Sequence, residues 1–105
     1  MPKYLIQASY TAEGLRTLQK DKASGRQKVI VSALESLGGH LEALYFSLGD
    51  YDVVAIADVP DHISATAMAV ASSASGLVRT KTTPLLSIEE TDQALQKGAN
   101  LRFPS

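Results

Sequence analysis

The chain lacks several residue types on which common chemistry depends. It has no cysteine among its 105 residues, which excludes a disulfide framework, a thiolate nucleophile and any metal site with cysteine ligands. Its 10 lysines and arginines are balanced by 11 aspartates and glutamates, so it has no positive field to attract a phosphate backbone or an anionic lipid surface. We therefore expect neither nucleic acid nor a membrane as a partner.

Long apolar runs are missing as well. Runs such as Val53 to Ala57 are far shorter than the roughly 20 residues that a membrane-spanning helix needs. The opening stretch MPKYLIQASY alternates like a strand and has no apolar segment that ends in a small-residue cleavage site, so we expect no signal peptide. These features together predict a cytoplasmic protein.

Motifs for cofactors and metals are also absent. The sequence has no glycine-rich phosphate loop, no zinc-ligand spacing and no recognisable Ser-His-Asp arrangement. His40 and His62 stand far apart, and no third ligand type accompanies them at metal-binding spacing. We predict that the protein uses no metal and no cofactor.

The periodicity of apolar residues predicts the order of secondary structure. Strands alternate apolar and polar residues or are bounded by turn residues, and helices begin at capping residues such as Thr11 and Ser24. A break at residues 21–23 divides the first helix, and Ser87 with Glu90 forms a capping-box pattern for the last. The predicted strands are residues 4–10, 40–48, 52–59 and 77–83, and the predicted helices are residues 12–20, 24–37, 63–75 and 87–98.

This order predicts an α+β fold of the ferredoxin-like βαββαβ type. We expect a four-stranded antiparallel sheet with its first and third strands in the middle, its polar fourth strand at an edge and both main helices on one face. Residues 1–105 form a single domain, divided into a core at 1–86, an appended helix at 87–98 and a tail at 99–105.

The sheet face without helices is expected to be too apolar to remain in water. The first strand places Leu5, Gln7 and Ser9 on this face, and the second strand adds either Leu44, Phe46 and Leu48 or their alternates. An identical sheet is the simplest cover for such a face. The sequence therefore predicts a homodimer or a higher even oligomer.

Three segments closely resemble the GYD domain family of small bacterial proteins. They are SYTAEG (Ser9 to Gly14), ESLGGHLEALYFSLGDYDVV (Glu35 to Val54) and SASGLVRTKTTPLL (Ser73 to Leu86). The family takes its name from the triplet at Gly49, Asp50 and Tyr51. The resemblance extends to about Glu90 and implies a dimeric α/β barrel, in which two ferredoxin-like sheets face each other around a central space. His40 departs from the family pattern, where a lysine is expected after the glycine pair.

The triplet is followed by Asp52 at the start of the most apolar strand, and this stretch has two interpretations. In the first, Gly49 and Asp50 form the hairpin turn while Asp52 accepts backbone hydrogen bonds or pairs with a cation. In the second, Tyr51 and Asp52 lie at the mouth of the barrel, where a phenol and a carboxylate can orient or deprotonate a ligand.

Four other polar residues are candidates for ligand binding. Gln7 and Ser9 point to the barrel interior or bridge the dimer through water. Arg79 and Lys81 either protect an edge strand from aggregation or attract an anionic ligand.

Arg26 lies in the first turn of a predicted helix, where its positive charge opposes the positive end of the helix dipole. Arg26 therefore needs either solvent or an anion nearby, and solvent is the simpler expectation.

Two classes of function follow from these residues. The first is a small-molecule-binding protein that uses the barrel cavity without bond chemistry. The second is a cofactor-independent isomerase or oxygenase, with Asp52 as the base and Tyr51 as the orienting donor. The second class requires both groups to face one enclosed cavity of about 300 Å³ or more.

Overall fold

The computed structural model of the protein describes residues 1–47 and 49–104. The strands are β1 (Lys3–Tyr10), β2 (His40–Phe46), β3 (Val53–Asp58) and β4 (Val78–Leu85), and the helices are α1 (Ala12–Ser36), α2 (His62–Ala74) and α3 (Ile88–Gly98). They follow the order β1, α1, β2, β3, α2, β4, α3. The predicted βαββαβ order with an added C-terminal helix is confirmed.

The four strands form one antiparallel sheet in the spatial order β2-β3-β1-β4. This arrangement is ferredoxin-like, with β1 and β3 in the middle and β4 at an edge, as predicted. β4 continues past its predicted end, through Pro84 to Leu85. An edge strand tolerates Pro84 because the missing N–H can lie on the unpaired side.

Helices α1 and α2 cover one face of the sheet, which we call the covered face. Its core combines Tyr4 of β1, Ala57 of β3 and Val59 just after β3 with Leu34 of α1 and Ala65 of α2. The opposite face, which we call the open face, has no helix of the described residues over it. Both helices therefore lie on one side of the sheet, as predicted.

Helix α1 consists of two segments that meet at Lys22. The backbone of Lys22 has φ 66° and ψ 168°, a region occupied almost exclusively by glycine and costing another residue on the order of 1 to 3 kcal/mol. The first segment begins at Thr11, whose hydroxyl accepts a hydrogen bond from the Gly14 N–H at 3.1 Å. The break within residues 21–23 is confirmed. It is a kink, so the axes of the two helical segments differ in direction.

A β-bulge in β2 decides which of its side chains lie on the open face. Leu41 pairs with Ala57, but the next paired residue is Ala43, so Glu42 is an extra residue in the ladder. Beyond the bulge, Leu44 and Phe46 lie opposite Ala55 and Val53 and belong to the covered face. The alternates, Ala43 and Tyr45, lie on the open face, whereas Leu48 lies outside the described residues.

Helix α3 lies apart from the rest of the molecule. Ser87 and Glu90 form a reciprocal capping box at its start, and this hydrogen bonding to Ser87 lowers the pKa of Glu90. Two of its apolar side chains, Ile88 and Leu95, are 83% and 68% exposed. The molecule is correspondingly elongated, with principal extents of 54 × 31 × 22 Å.

Candidate functional site

Register brings the predicted binding residues together on the open face. Gln7 of β1 lies opposite Lys81 of β4, and Ser9 lies opposite Arg79. On the other side of β1, Gln7 lies opposite Val54 of β3. Polar side chains therefore run along β1 and β4, while apolar ones follow β3.

A surface depression of about 370 Å³ lies at one end of this face. We call it the rim depression, and its lining residues are Ser9, Asp50, Tyr51, Arg79, Thr80 and Lys81. Four predicted site residues, Tyr51, Ser9, Arg79 and Lys81, thus meet at one place. Gln7 and Asp52 are adjacent to it in the chain or the sheet but do not line it.

The loop that presents Asp50 and Tyr51 is held by its backbone. Gly49 has φ 143°, a conformation that disfavours a side chain. The Ser9 hydroxyl donates to the Asp50 carbonyl at 2.6 Å, and the Ser47 hydroxyl donates to the Tyr51 carbonyl at 2.7 Å. Because these bonds use main-chain oxygens, the side chains of Asp50 and Tyr51 are left to form the wall of the rim depression.

Asp52 connects the hairpin to β1. Its Oδ2 accepts a hydrogen bond from the Tyr10 N–H at 2.8 Å, and its own N–H donates to the Ala8 carbonyl at 2.8 Å. In the described part of the chain, no ion pair joins Asp52 to Arg79 or Lys81. The geometry of Asp52 is thus that of a carboxylate bound to the backbone.

A second charged group lies at the other end of the open face. We call it the ion-pair cluster, and it consists of Lys3, His40, Glu42 and Asp58. The Lys3 ammonium lies 2.9 Å from Asp58 Oδ1 and 3.0 Å from Glu42 Oε1, while His40 Nε2 lies 3.0 Å from Asp58 Oδ2. The hydrogen bond to Asp58, followed by that to Glu42, raises the pKa of Lys3 above 10.5.

The sequence alone does not predict the ion-pair cluster. Asp58 is 9% exposed, and a buried carboxylate needs partners, but nothing in the sequence shows that Lys3 lies directly opposite it. His40 Nε2 contacts the other oxygen of the same carboxylate, Asp58 Oδ2. Across residues 1–47 and 49–104, no group of three or more histidine, cysteine, aspartate or glutamate residues could hold a metal ion.

A further space lies on the covered face, between the helices and the sheet. This inner cavity has a volume of about 370 Å³ and is walled mainly by apolar side chains of α1, α2 and the strands. Arg26 also lines it, and the Arg26 side chain is only 16% exposed. The expectation that solvent surrounds Arg26 is therefore wrong, because the kink at Lys22 carries this part of α1 over the sheet.

Among the described residues, no helix has both the length and the apolar character that crossing a membrane requires.

Comparison with known proteins identifies the family. The model of the GYD domain matches residues 4–95, a range that contains the four strands except Lys3 at the start of β1, both covering helices and the Gly49, Asp50, Tyr51 triplet. No curated protein and no solved structure gives a significant match to the chain. Since the matched range spans most of its length, the chain belongs to the GYD domain family.

Proposed function

We propose that the protein is a homodimer that binds a small organic anion in the rim depression without catalysing a reaction. The observation that carries this proposal is the grouping of Arg79, Lys81 and Tyr51 around one space of about 370 Å³, which is within the roughly 300 to 1,000 Å³ of small-molecule sites. In the described part of the chain, neither cation forms an ion pair. Both are therefore available to an anionic ligand, to which arginine can donate two parallel hydrogen bonds.

A second copy of the chain would enclose this space. The open face presents the half-buried apolar side chains of Leu5, Val54 and Ile56, and Tyr45 beside them is 71% exposed. An identical sheet is a suitable cover, because a twofold axis makes one patch complementary to itself. Two sheets face to face would form the dimeric α/β barrel that the family resemblance implies, with a rim depression near the edge of each sheet.

The alternative function, a cofactor-independent isomerase or oxygenase, has weaker support from the geometry. That chemistry requires Asp52 as a base beside Tyr51 in one enclosed cavity. Asp52 Oδ2 is instead bonded to the Tyr10 N–H, and Asp52 does not line the rim depression. Binding without base catalysis agrees better with this arrangement.

The dimer is tested by introducing a charge on the open face. Tyr45→Lys should convert the parent dimer to a monomer, as measured by light scattering at micromolar concentration. Ile63→Lys is the matched control, because Ile63 is 69% exposed but lies on α2, on the other side of the sheet. A monomeric parent, or a Tyr45→Lys variant as dimeric as the control, would contradict the dimer.

The ligand site is tested by neutralising its cations. Native mass spectrometry of the purified protein would reveal a retained anion, and phthalate serves as a defined probe in NMR titrations. The double variant Arg79→Gln, Lys81→Gln should bind phthalate at least about tenfold more weakly, since it loses charge-assisted hydrogen bonds. Arg16→Gln, Lys20→Gln on α1 removes the same charges elsewhere and should not change the affinity. Equal losses in the two variants would point to general electrostatic attraction and contradict the site.

A further inference from the structure

The inner cavity lies on the covered face, so the sheet separates it from the open face and its proposed partner. Helix α1 packs over β2 and β1, whereas α2 packs over β4. Small side chains from both layers border the gap between the helices, among them Ala71 of α2 and Ala8 and Ala55 of the strands. Protein interiors are normally close-packed. A space of about 370 Å³ at this position is large enough for an organic molecule.

Arg26 gives this apolar space a single positive group. Its Nε is buried and has no hydrogen-bond partner among residues 1–47 and 49–104. Its nearest acid is Asp21, and Arg26 Nη1 lies 3.8 Å from Asp21 Oδ2, which is too long for a hydrogen bond. Asp21 is 37% exposed in its side chain, so water competes for this contact. The guanidinium is therefore largely desolvated without receiving strong protein acceptors.

The other polar side chains that line the cavity are uncharged, and two of them have hydrogen-bond partners within the protein. Thr80 Oγ1 lies 3.3 Å from Ser73 Oγ, and the Ser75 hydroxyl donates to the Ser72 carbonyl at 2.6 Å. Tyr10 contributes a phenol ring at the β1 side. These groups can orient a ligand, but none of them supplies a second positive charge.

We propose that the inner cavity binds an apolar monocarboxylate whose carboxylate pairs with Arg26. A carboxylate can accept two parallel hydrogen bonds from Nε and one terminal nitrogen of a guanidinium, and this would satisfy the buried Nε. One cation in apolar walls suits one negative charge, whereas a phosphate ester would leave charge unpaired.

The probes are 2-naphthoate and 2-naphthamide, which share an apolar body and differ in charge. Isothermal titration calorimetry at neutral pH should show 2-naphthoate binding to the parent protein about tenfold more tightly than the amide, because the charged hydrogen bonds are the stronger ones. Equal affinity for the two probes, or binding of neither, would overturn the proposal.

Variants of the protein test whether the carboxylate of 2-naphthoate binds at Arg26. Arg26→Gln should remove the preference for the acid and leave the affinity for the amide unchanged, with circular dichroism used to verify that the variant is folded. Lys28→Gln, which removes a charge from the exposed side of the same helix, should behave like the parent. If Arg26→Gln keeps the preference for the acid, Arg26 does not hold the carboxylate and the proposal fails.

A variant that fills the cavity makes the test independent of Arg26. Ala33→Leu adds volume inside the lining without changing any charge, so it should abolish binding of both probes. The open-face variant Arg79→Gln, Lys81→Gln should still bind 2-naphthoate like the parent, which separates this site from the rim depression. Unchanged binding in Ala33→Leu, or lost binding in the open-face variant, would place the probe outside the inner cavity and overturn the proposal.

Discussion

The open face has charged residues at both ends, and the two ends satisfy their charges differently. Lys3 and Ser9 mark these ends on β1, about 20 Å apart at roughly 3.3 Å per residue. At the first end, Lys3 and His40 both meet Asp58. At the second, Arg79 has no ion-pair partner in the described part of the chain. Charges that the protein pairs itself support the fold, whereas unpaired charges beside a depression remain available to a ligand.

The largest effect is expected at the end with paired charges. Asp58→Ala should lower the free energy of unfolding by about 2 to 3 kcal/mol, because the charged hydrogen bond from Lys3 and the contact with His40 are both lost at a buried position. Lys3 and His40 are 37% and 60% exposed and can turn to water, which keeps the loss below that of a stranded buried charge. Urea denaturation measures this loss of stability. As a control, Glu42→Ala removes a half-exposed carboxylate and should cost less than about 1 kcal/mol. A smaller loss for Asp58→Ala than for Glu42→Ala would show that Asp58 is not the main stabilising residue of the ion-pair cluster.

The next effect is expected at Asp52, between β1 and the hairpin. Asp52→Ala should cost on the order of 1 to 2 kcal/mol, because the Tyr10 N–H loses a charged acceptor. Asp50→Ala should be near neutral, since the described contacts of Asp50 involve its carbonyl rather than its carboxylate. Thermal melts of both variants beside the parent decide this. If Asp50→Ala is the more damaging change, the triplet rather than Asp52 holds this end of the sheet.

A smaller effect should appear as a pH dependence at the paired end. The pKa of Lys3 is raised above 10.5 by its bonds to Asp58 and Glu42, so its contribution to stability is complete below that pH and is lost as pH rises through the folded-state value. Urea midpoints measured from about pH 9 to pH 12 should fall less steeply in Lys3→Met than in the parent. Lys97→Met on α3 controls for the loss of one positive charge. Identical slopes in Lys3→Met and the parent would show that the pairing does not affect stability.

The smallest effect on stability is expected at the unpaired end. The double variant Arg79→Gln, Lys81→Gln should unfold within about 0.5 kcal/mol of the parent, as exposed substitutions away from special contacts usually do. We expect this double variant to lower the affinity for an anionic ligand instead. A loss of stability comparable to that of Asp58→Ala would mean that both ends are structural.

The sequence predicts the fold better than it predicts the neighbours of individual side chains. The apolar residues of β3, the polar face of β4 and the break near Lys22 are local patterns, and the structure has all three. The contact between Lys3 and Asp58 depends on the register of β1 against β3, which alternation leaves open. The site residues Ser9 and Arg79 could be placed on one face from the alternation of their strands, but their adjacency also requires register. The inner cavity depends on the separation of α1 and α2, which no local pattern encodes.

The bulge at Glu42 has a consequence for changes in chain length. Deleting one residue from a regular strand exchanges the side chains of its two faces. In β2, however, Leu41 and Ala43 already oppose the consecutive residues Ala57 and Ile56, so a chain without Glu42 could keep the same pairing in a regular ladder. We expect a shortened strand of this kind to preserve the position of Tyr45 on the open face and to lose the Lys3 to Glu42 ion pair. Natural relatives that differ by one residue here could therefore present the same open face.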